Sequence, residues 1–462
     1  MKKIFKPCFS LLLTLVGSNM LYAQSAPSLE ELIESALKKD HHLANKQLEI
    51  EESKIDQQML KEVYLPHVDL SGKYAFLAAG IHLKAPANSV PELGIGLPAM
   101  DSKFRNSANL ITGGLSADVL IYSGGKVPNL KKAVGEKINA QTALLEKDKQ
   151  DIISDIAAAY DQMALLKQVK KVLDESKKRL DANSAIANKA LGYGLITQYD
   201  HQKIEVAQAQ LDARIQQYEG KRFLLVQLLH QYTGLETDRI SQIDNSLIPA
   251  STTEGNNTIE NRAEISALNA SINAHTYKIK AAESWWKPKV QASTSLGYLN
   301  AFDIRLKARE PFPTGNTMSL KTDKLEALPN FNIGIGFKWD LFDGNKGKRE
   351  TQIAKIGLAK AQNERAEALE KLELNLIKNQ TEFTNALAEI RVREKEVQAA
   401  QNALNLANKE FKTGLIKASD LIGAEADYQS ASLNYLQSVF NQRRTVVELL
   451  KATGSLTPKS LL

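Results

Sequence analysis

The sequence predicts a mainly α-helical fold with a membrane β portion. Long coiled-coil helices form a helical barrel, and four β-strands per protomer contribute to a trimeric 12-stranded barrel. Three observations predict this. The chain holds the same unit twice, its helices carry a seven-residue apolar repeat, and four segments alternate apolar with polar residues.

The duplication sets the frame. Gly194-Leu195-Ile196-Thr197-Gln198-Tyr199-Asp200 reappears 220 residues later as Gly414-Leu415-Ile416-Lys417-Ala418-Ser419-Asp420. The offset holds through Glu205/Glu425, Gln217/Gln437, Val226/Val446, Leu229/Leu449, Thr233/Thr453 and Gly234/Gly454, so that 10 of 42 positions match without a gap. Tyr64-Leu65-Pro66-His67-Val68 pairs similarly with Trp286-Lys287-Pro288-Lys289-Val290, and Ile121-Tyr122-Ser123-Gly124-Gly125-Lys126 with Leu341-Phe342-Asp343-Gly344-Asn345-Lys346. A unit of this size cannot bury its own apolar face, so copies must pack on one another. Each copy reads helix, strand, loop, strand, long helix, tip, helix. The copies span 24–240 and 258–462, joined by a linker at 241–257 rich in Ser, Thr, Asn and Gly.

Residues 1–23 read as a secretory signal peptide. Lys2, Lys3 and Lys6 precede the short apolar run Phe9 to Val16, and Leu21-Tyr22-Ala23 suits cleavage before Gln24. Cys8 is the one cysteine and lies inside this leader, so the mature chain has no disulfide. Three of the 59 Lys and Arg also leave, and 56 against 53 acids, about +3, gives no basis for nucleic-acid binding. No stretch after the leader is apolar enough for a helical membrane span.

The helices are strongly patterned. Leu369, Leu376, Phe383, Ile390, Val397, Leu404 and Phe411 recur every seven residues. Ile152, Ile156, Ala159, Met163, Leu166, Leu173, Leu180 and Ala187 follow steps of four, three, four, three and then seven. A strict seven-residue repeat implies supercoiled packing. The spans 126–191 and 345–412 would each run roughly 100 Å at ~1.5 Å per residue. Return helices at 196–233 and 416–453 cover half of that, and helices near 28–64 and 258–286 complete it.

The strands are expected at ~66–80, ~108–122, ~288–303 and ~329–342. Phe331, Ile333, Ile335, Phe337, Trp339 and Leu341 alternate with Asn332, Gly334, Gly336, Lys338 and Asp340. Alternation over ~10 residues fits a transmembrane strand, apolar outward; it fits equally a strand pair on a soluble core. If the strands lie in lipid, four cannot close a barrel and open edges are not tolerated there. Eight strands from two chains leave an interior filled by side chains, whereas twelve from three leave a channel.

In this order and spacing, the paired halves, the Gly-rich strand-to-helix turns and the tip motifs GYGLITQYD and FKTGLIKASD resemble the TolC-like outer membrane efflux proteins. The resemblance covers the whole mature chain. It implies a homotrimer in outer-membrane lipid with a periplasmic helical domain. It also implies a passive exit duct in a tripartite efflux or type I secretion system, served by a periplasmic adaptor (membrane fusion protein) and an inner-membrane pump. By residue match, Asp200 and Asp420 sit where family aspartates narrow the pore aperture. A further acidic position of some relatives is Gly423 here. From the residues alone, Asp420 equally suits a helix N-terminus.

Gly194 and Gly414 break the long helices, and Thr197 and Ser419 are candidate caps for the returning ones. Leu195, Ile196, Leu415 and Ile416 are apolar residues at exposed tips, which a docking partner explains better than solvent does. Tyr122-Ser123-Gly124-Gly125-Lys126 lacks the spaced glycine and Lys-Ser/Thr pair of a phosphate loop. Histidines 41, 42, 67, 82, 201, 230 and 275 lack metal-ligand spacing, and no nucleophile–base motif stands out. The chain is therefore read as a channel without enzymatic activity, cofactor or metal. The competing reading is a secreted coiled-coil scaffold with a soluble sheet. Loops 80–108 and 303–329 are expected to cap the strands.

Overall fold

The computed structural model describes residues 25–90, 95–97, 99–251, 258–309, 315, 317 and 319–461. Residues 1–24 with Cys8, together with Pro91, Pro98, Pro311, Pro313 and residues 252–257 of the expected linker, lie outside the described residues. The first copy comprises α1 (Leu29–Lys39), α2 (His41–Glu62), β1 (His67–Ala85), a small hairpin β2 (Asn88–Val90) and β3 (Ile95–Leu97), β4 (Met100–Tyr122), α3 (Lys126–Gly192) and α4 (Gln198–Thr233). After a single turn, α5 (Thr237–Ser241), the second supplies α6 (Ala263–Ala282), a 3-10 turn at Glu283–Trp286, β5 (Lys289–Ala308), β6 (Ser319–Lys338), α7 (Lys346–Lys412) and α8 (Ala418–Ala452).

The helix expected over 28–64 is two helices. Asp40 leaves the helical region at ψ 117° and its carboxylate accepts the Leu43 N–H at 2.8 Å, starting α2 afresh. The chain divides into two compact units.

The first unit holds Met1–Gln47, Ala143–Ser266 and Glu367–Leu462. Here the α3 stripe behaves as its spacing requires. Ile156, Ala159, Met163, Leu166, Leu173, Leu180 and Ala187 are buried in one core and Ile152 packs on it. The facing seam of α4 is Ile204, Leu211, Tyr218 and Leu225, also seven apart. Matching seven-residue seams let side chains of one helix seat between those of the other. The α7 stripe is less covered. Leu376, Leu404 and Phe411 are buried, but Leu374, Ile377, Val392 and Leu406 on adjoining rows are 56–67 % exposed.

The described part of the expected linker is docked at Ile248 and Ala250. Gln442, fully buried, donates to Ala250 O at 2.7 Å and accepts Ala250 N–H at 2.9 Å. Arg443 donates to Ile248 O at 3.2 Å and to Asp161 at 2.8 Å. Burial raises the Asp161 carboxyl above its ordinary value, and the Arg443 guanidinium opposes that rise.

The second unit holds Leu48–Thr142 and Ala267–Ala366. Its four long strands form one antiparallel sheet in the order β1-β4-β5-β6. Register aligns residues of one kind across it. Leu70, Leu115, Leu296 and Phe331 form one row, while Asp69, Ser116, Ser295 and Asn332 form the next. Successive side chains point to opposite faces, so one face is bulky and apolar and the other small and polar.

The strands differ from expectation in length. β1 and β4 pair out to Ala85 and Met100, and β5 and β6 out to Lys307 and Ser319, through much of the span assigned to loops 80–108 and 303–329. Backbone pairing continues there with charged side chains, as in His82–Asp101 at 2.6 Å and Arg305–Asp303 at 2.9 Å. A ladder needs no apolar face where water surrounds it, so hydropathy alternation underestimated these strands. β6 ends at Lys338, not 342; Trp339 instead donates its indole N–H to Trp286 O at 2.7 Å.

Candidate mouth at the two helix tips

Both long helices end in the same motif. At the first tip Leu195 N–H donates to Ala190 O at 2.8 Å and Gly194 N–H to Leu191 O at 2.9 Å. At the second Leu415 N–H donates to Glu410 O at 2.9 Å and Gly414 N–H to Phe411 O at 3.1 Å. These paired bonds around a left-handed residue satisfy carbonyls that the helix end leaves free. Gly194 and Gly414 have φ of 75° and 74°, and no heavy atom lies within 4 Å of an added Cβ. Gly194→Ala and Gly414→Ala therefore carry only the conformational penalty, about 1–2 kcal/mol each. Amide exchange at Leu195 or Leu415 is expected to quicken about tenfold, read by hydrogen–deuterium exchange of the tip peptides.

The returning helices start differently. Thr197 caps α4: its hydroxyl accepts the Asp200 N–H at 3.1 Å, and Asp200 accepts the Thr197 N–H at 3.4 Å. This is a complete capping box. The second tip has half of one. Asp420 accepts the Lys417 N–H at 3.2 Å, but lysine has no acceptor to return, and Asp420 N–H falls back on Lys417 O at 3.1 Å. Ser419 does not cap α8, because the helix begins one residue before it.

The aspartates are thus local caps whose carboxylates face water. The Thr197 hydroxyl holds the Asp200 carboxyl below its ordinary value, helped by the fields of Lys203 and Lys417. Lys417 belongs to the other tip, so the two tips of one chain lie within electrostatic reach. Of the four apolar tip residues, Leu195 and Leu415 are 75 % and 76 % exposed, whereas Ile196 and Ile416 pack on the core. Alternation in the turn sends the isoleucines inward, so the exposed apolar surface is Tyr193, Leu195, Tyr199 and Leu415. Lys203 sits 4.6 Å over the Tyr199 ring.

About two to four turns from the tips lies a polar seam without a signal in the sequence pattern. Arg179 of α3 grips Glu425 of α8 with two bonds, at 3.0 and 2.9 Å, and lies 5.1 Å over the Tyr428 ring. Asn183 donates to Asn408 at 3.2 Å, and Arg214 of α4 bonds Gln429 of α8. Glu205, the repeat equivalent of Glu425, is instead exposed beside His201. His201 is itself buried, against Asn188 at 2.5 Å. Among the described residues no group of three His, Cys, Asp or Glu could hold a metal, and no helix is long and apolar enough to cross a membrane.

Comparison with known proteins places these features. The family model for outer membrane efflux proteins matches residues 32–235 and 255–455, one match per copy. The outer membrane efflux protein BepC of Brucella suis biovar 1 is 21 % identical over 352 residues, spanning 76 % of this chain and 73 % of that one. Among solved structures, the outer membrane protein VceC of Vibrio cholerae superposes with a TM-score of 0.69 at 18 % identity, covering 92 % of this chain and 96 % of VceC. The Campylobacter jejuni outer membrane channel CmeC gives 0.67 at 15 % identity, covering 92 % and 85 %.

Proposed function

We infer from one fact, that this chain belongs to the outer membrane efflux protein family, that three copies assemble into a passive exit duct. Membership makes it an outer-membrane efflux channel rather than an enzyme. The observation that supports trimeric assembly is the sheet. Its bulky face is bare, with Phe331, Ile333, Ile335 and Phe337 68–76 % exposed, and among the described residues β1 and β6 have no outer neighbour. Water would leave that apolar face unsolvated and lipid would leave the edges unpaired. Twelve strands from three chains satisfy both, with the Ser, Gly and Asn rows lining a wet lumen. The bare apolar rows of α7 are covered by the same assembly. A soluble scaffold explains none of this.

The duct works without chemistry. Cargo is delivered by an inner-membrane pump through a periplasmic adaptor, and the adaptor docks on the exposed tip residues around Gly194, Leu195, Gly414 and Leu415. Asp200 and Asp420 ring the aperture and favour cations there. In planar bilayers the purified protein is expected to form discrete, cation-preferring pores; a soluble monomer that never conducts sinks the proposal. Replacing both aspartates with Ala should lower cation preference and raise single-channel conductance. Unchanged selectivity would remove them from the aperture, leaving only the loss of two caps, about 1 kcal/mol each.

A further inference from the structure

Below the sheet, α2, α3 and α6 enclose an open cleft of about 590 Å³ lined by Lys54, Gln57, Lys132, Asn139 and Tyr277. Two ammonium groups share one ring there: Lys132 lies 5.6 Å and Lys280 5.2 Å from the Tyr277 centroid. Among the described residues neither Lys132 nor Lys280 has a carboxylate partner. Lys54 is taken by Glu51 at 2.7 Å, and the Glu136 carboxylate at the cleft wall accepts from Asn139 at 3.4 Å. The surroundings add charge of the same sign. Segments 122–132 and 278–289 carry seven lysines and one acid, Glu283, which Lys355 engages at 3.7 Å. Two cations drawn to one aromatic ring repel each other, and an anion bound beside them offsets that repulsion.

We propose that this cleft binds the phosphate of an anionic phospholipid in the inner leaflet of the outer membrane. The assignment rests on the reading of the sheet as the membrane portion. Lys132 is six residues into α3 and Tyr277 nine residues before Trp286, so the cleft lies within about two and a half helical turns of the strand ends. That is headgroup depth. Trp286 and Trp339, half exposed beside the strand ends, mark the interface where indoles settle. Basic groups flanking a membrane segment recruit anionic headgroups in this way. Gln57 already donates to Lys131 O at 3.2 Å, which leaves Lys132 and Lys280 for the phosphate.

The test uses the full-length protein in nonionic detergent, mixed with phosphatidylglycerol, phosphatidylcholine or inorganic phosphate, and counts bound lipid by native mass spectrometry. Phosphatidylglycerol should be retained about tenfold over phosphatidylcholine at 0.1 M salt. The Lys132→Gln/Lys280→Gln variant should bring that ratio to near one, while Lys378→Gln/Lys395→Gln, on α7 of the other unit, leaves it unchanged. Single-channel conductance of each variant reports assembly. Conducting pores with no lipid preference, or with a preference that survives the first variant, overturn the proposal while leaving the duct intact. Inorganic phosphate displacing the lipid at equal concentration overturns the lipid assignment. Absence of pores from the wild type overturns the membrane reading on which it rests.

Discussion

Glu425→Ala is expected to lower the free energy of unfolding by about 3 kcal/mol and to enlarge the mouth. Glu425 is 9 % exposed and receives both arms of the Arg179 guanidinium. Removing one partner of such a pair strands the other charge, at about 3–5 kcal/mol. The lower end applies because the Arg179 side chain is 27 % exposed and recovers some hydration. Arg179→Ala should be the more harmful of the two, since it abandons the deeper carboxylate. Glu425→Gln keeps one good hydrogen bond and should lose about 1 kcal/mol. The pair ties α3 of the first copy to α8 of the second, so its loss frees the tips to slide apart. Thermal unfolding reads the first effect and planar-bilayer conductance the second. A stability loss without any change in conductance would confine the pair to a structural role.

Gly454→Ala should be about as damaging, and Gly234→Ala, at the equivalent place in the first copy, less so. Both glycines end a return helix in the left-handed region, at φ of 72° and 76°. A side chain there costs about 1–2 kcal/mol at either site. The surroundings separate them. A Cβ on Gly454 would meet Asn261 O at 2.7 Å and Arg262 N at 3.0 Å, backbone atoms that cannot turn aside, whereas on Gly234 it meets the Lys39 side chain at 3.3 Å. Overpacking against fixed atoms adds about 1–3 kcal/mol. Gly454→Ala is thus expected to cost about 2–5 kcal/mol and Gly234→Ala about 1–2, measured by chemical denaturation. Equal losses would show that the backbone near Asn261 yields freely.

Periodicity made the helices legible. Steps of three, four and seven placed the buried stripe of α3 from Ile156 to Ala187, while Ile152 is half-buried and Ile153 and Ala157 join the core beside the stripe. The tip glycines were legible for a related reason, since the motif that ends each helix leaves little choice at that position. Strand ends were not, as pairing past Gly80 and before Phe331 is carried by backbone bonds with charged side chains, to which hydropathy is blind. The polar seam was invisible for a different reason. Arg179, Glu425 and Gln429 lie among many Arg, Glu and Gln of helical faces, and only three-dimensional packing tells the gripped from the solvated. Glu205 and Glu425 occupy matching repeat positions, yet one is exposed and the other buried.

The half-made box at Lys417 has a consequence for symmetry. Six helix starts around one aperture would fray equally if all were capped alike. Here each firm start at Thr197 adjoins a looser one at Lys417, so fraying would alternate around the ring. If the tips form the aperture as proposed, such a mouth is expected to open as a triangle rather than as a hexagon, with three soft corners contributed by the second copies.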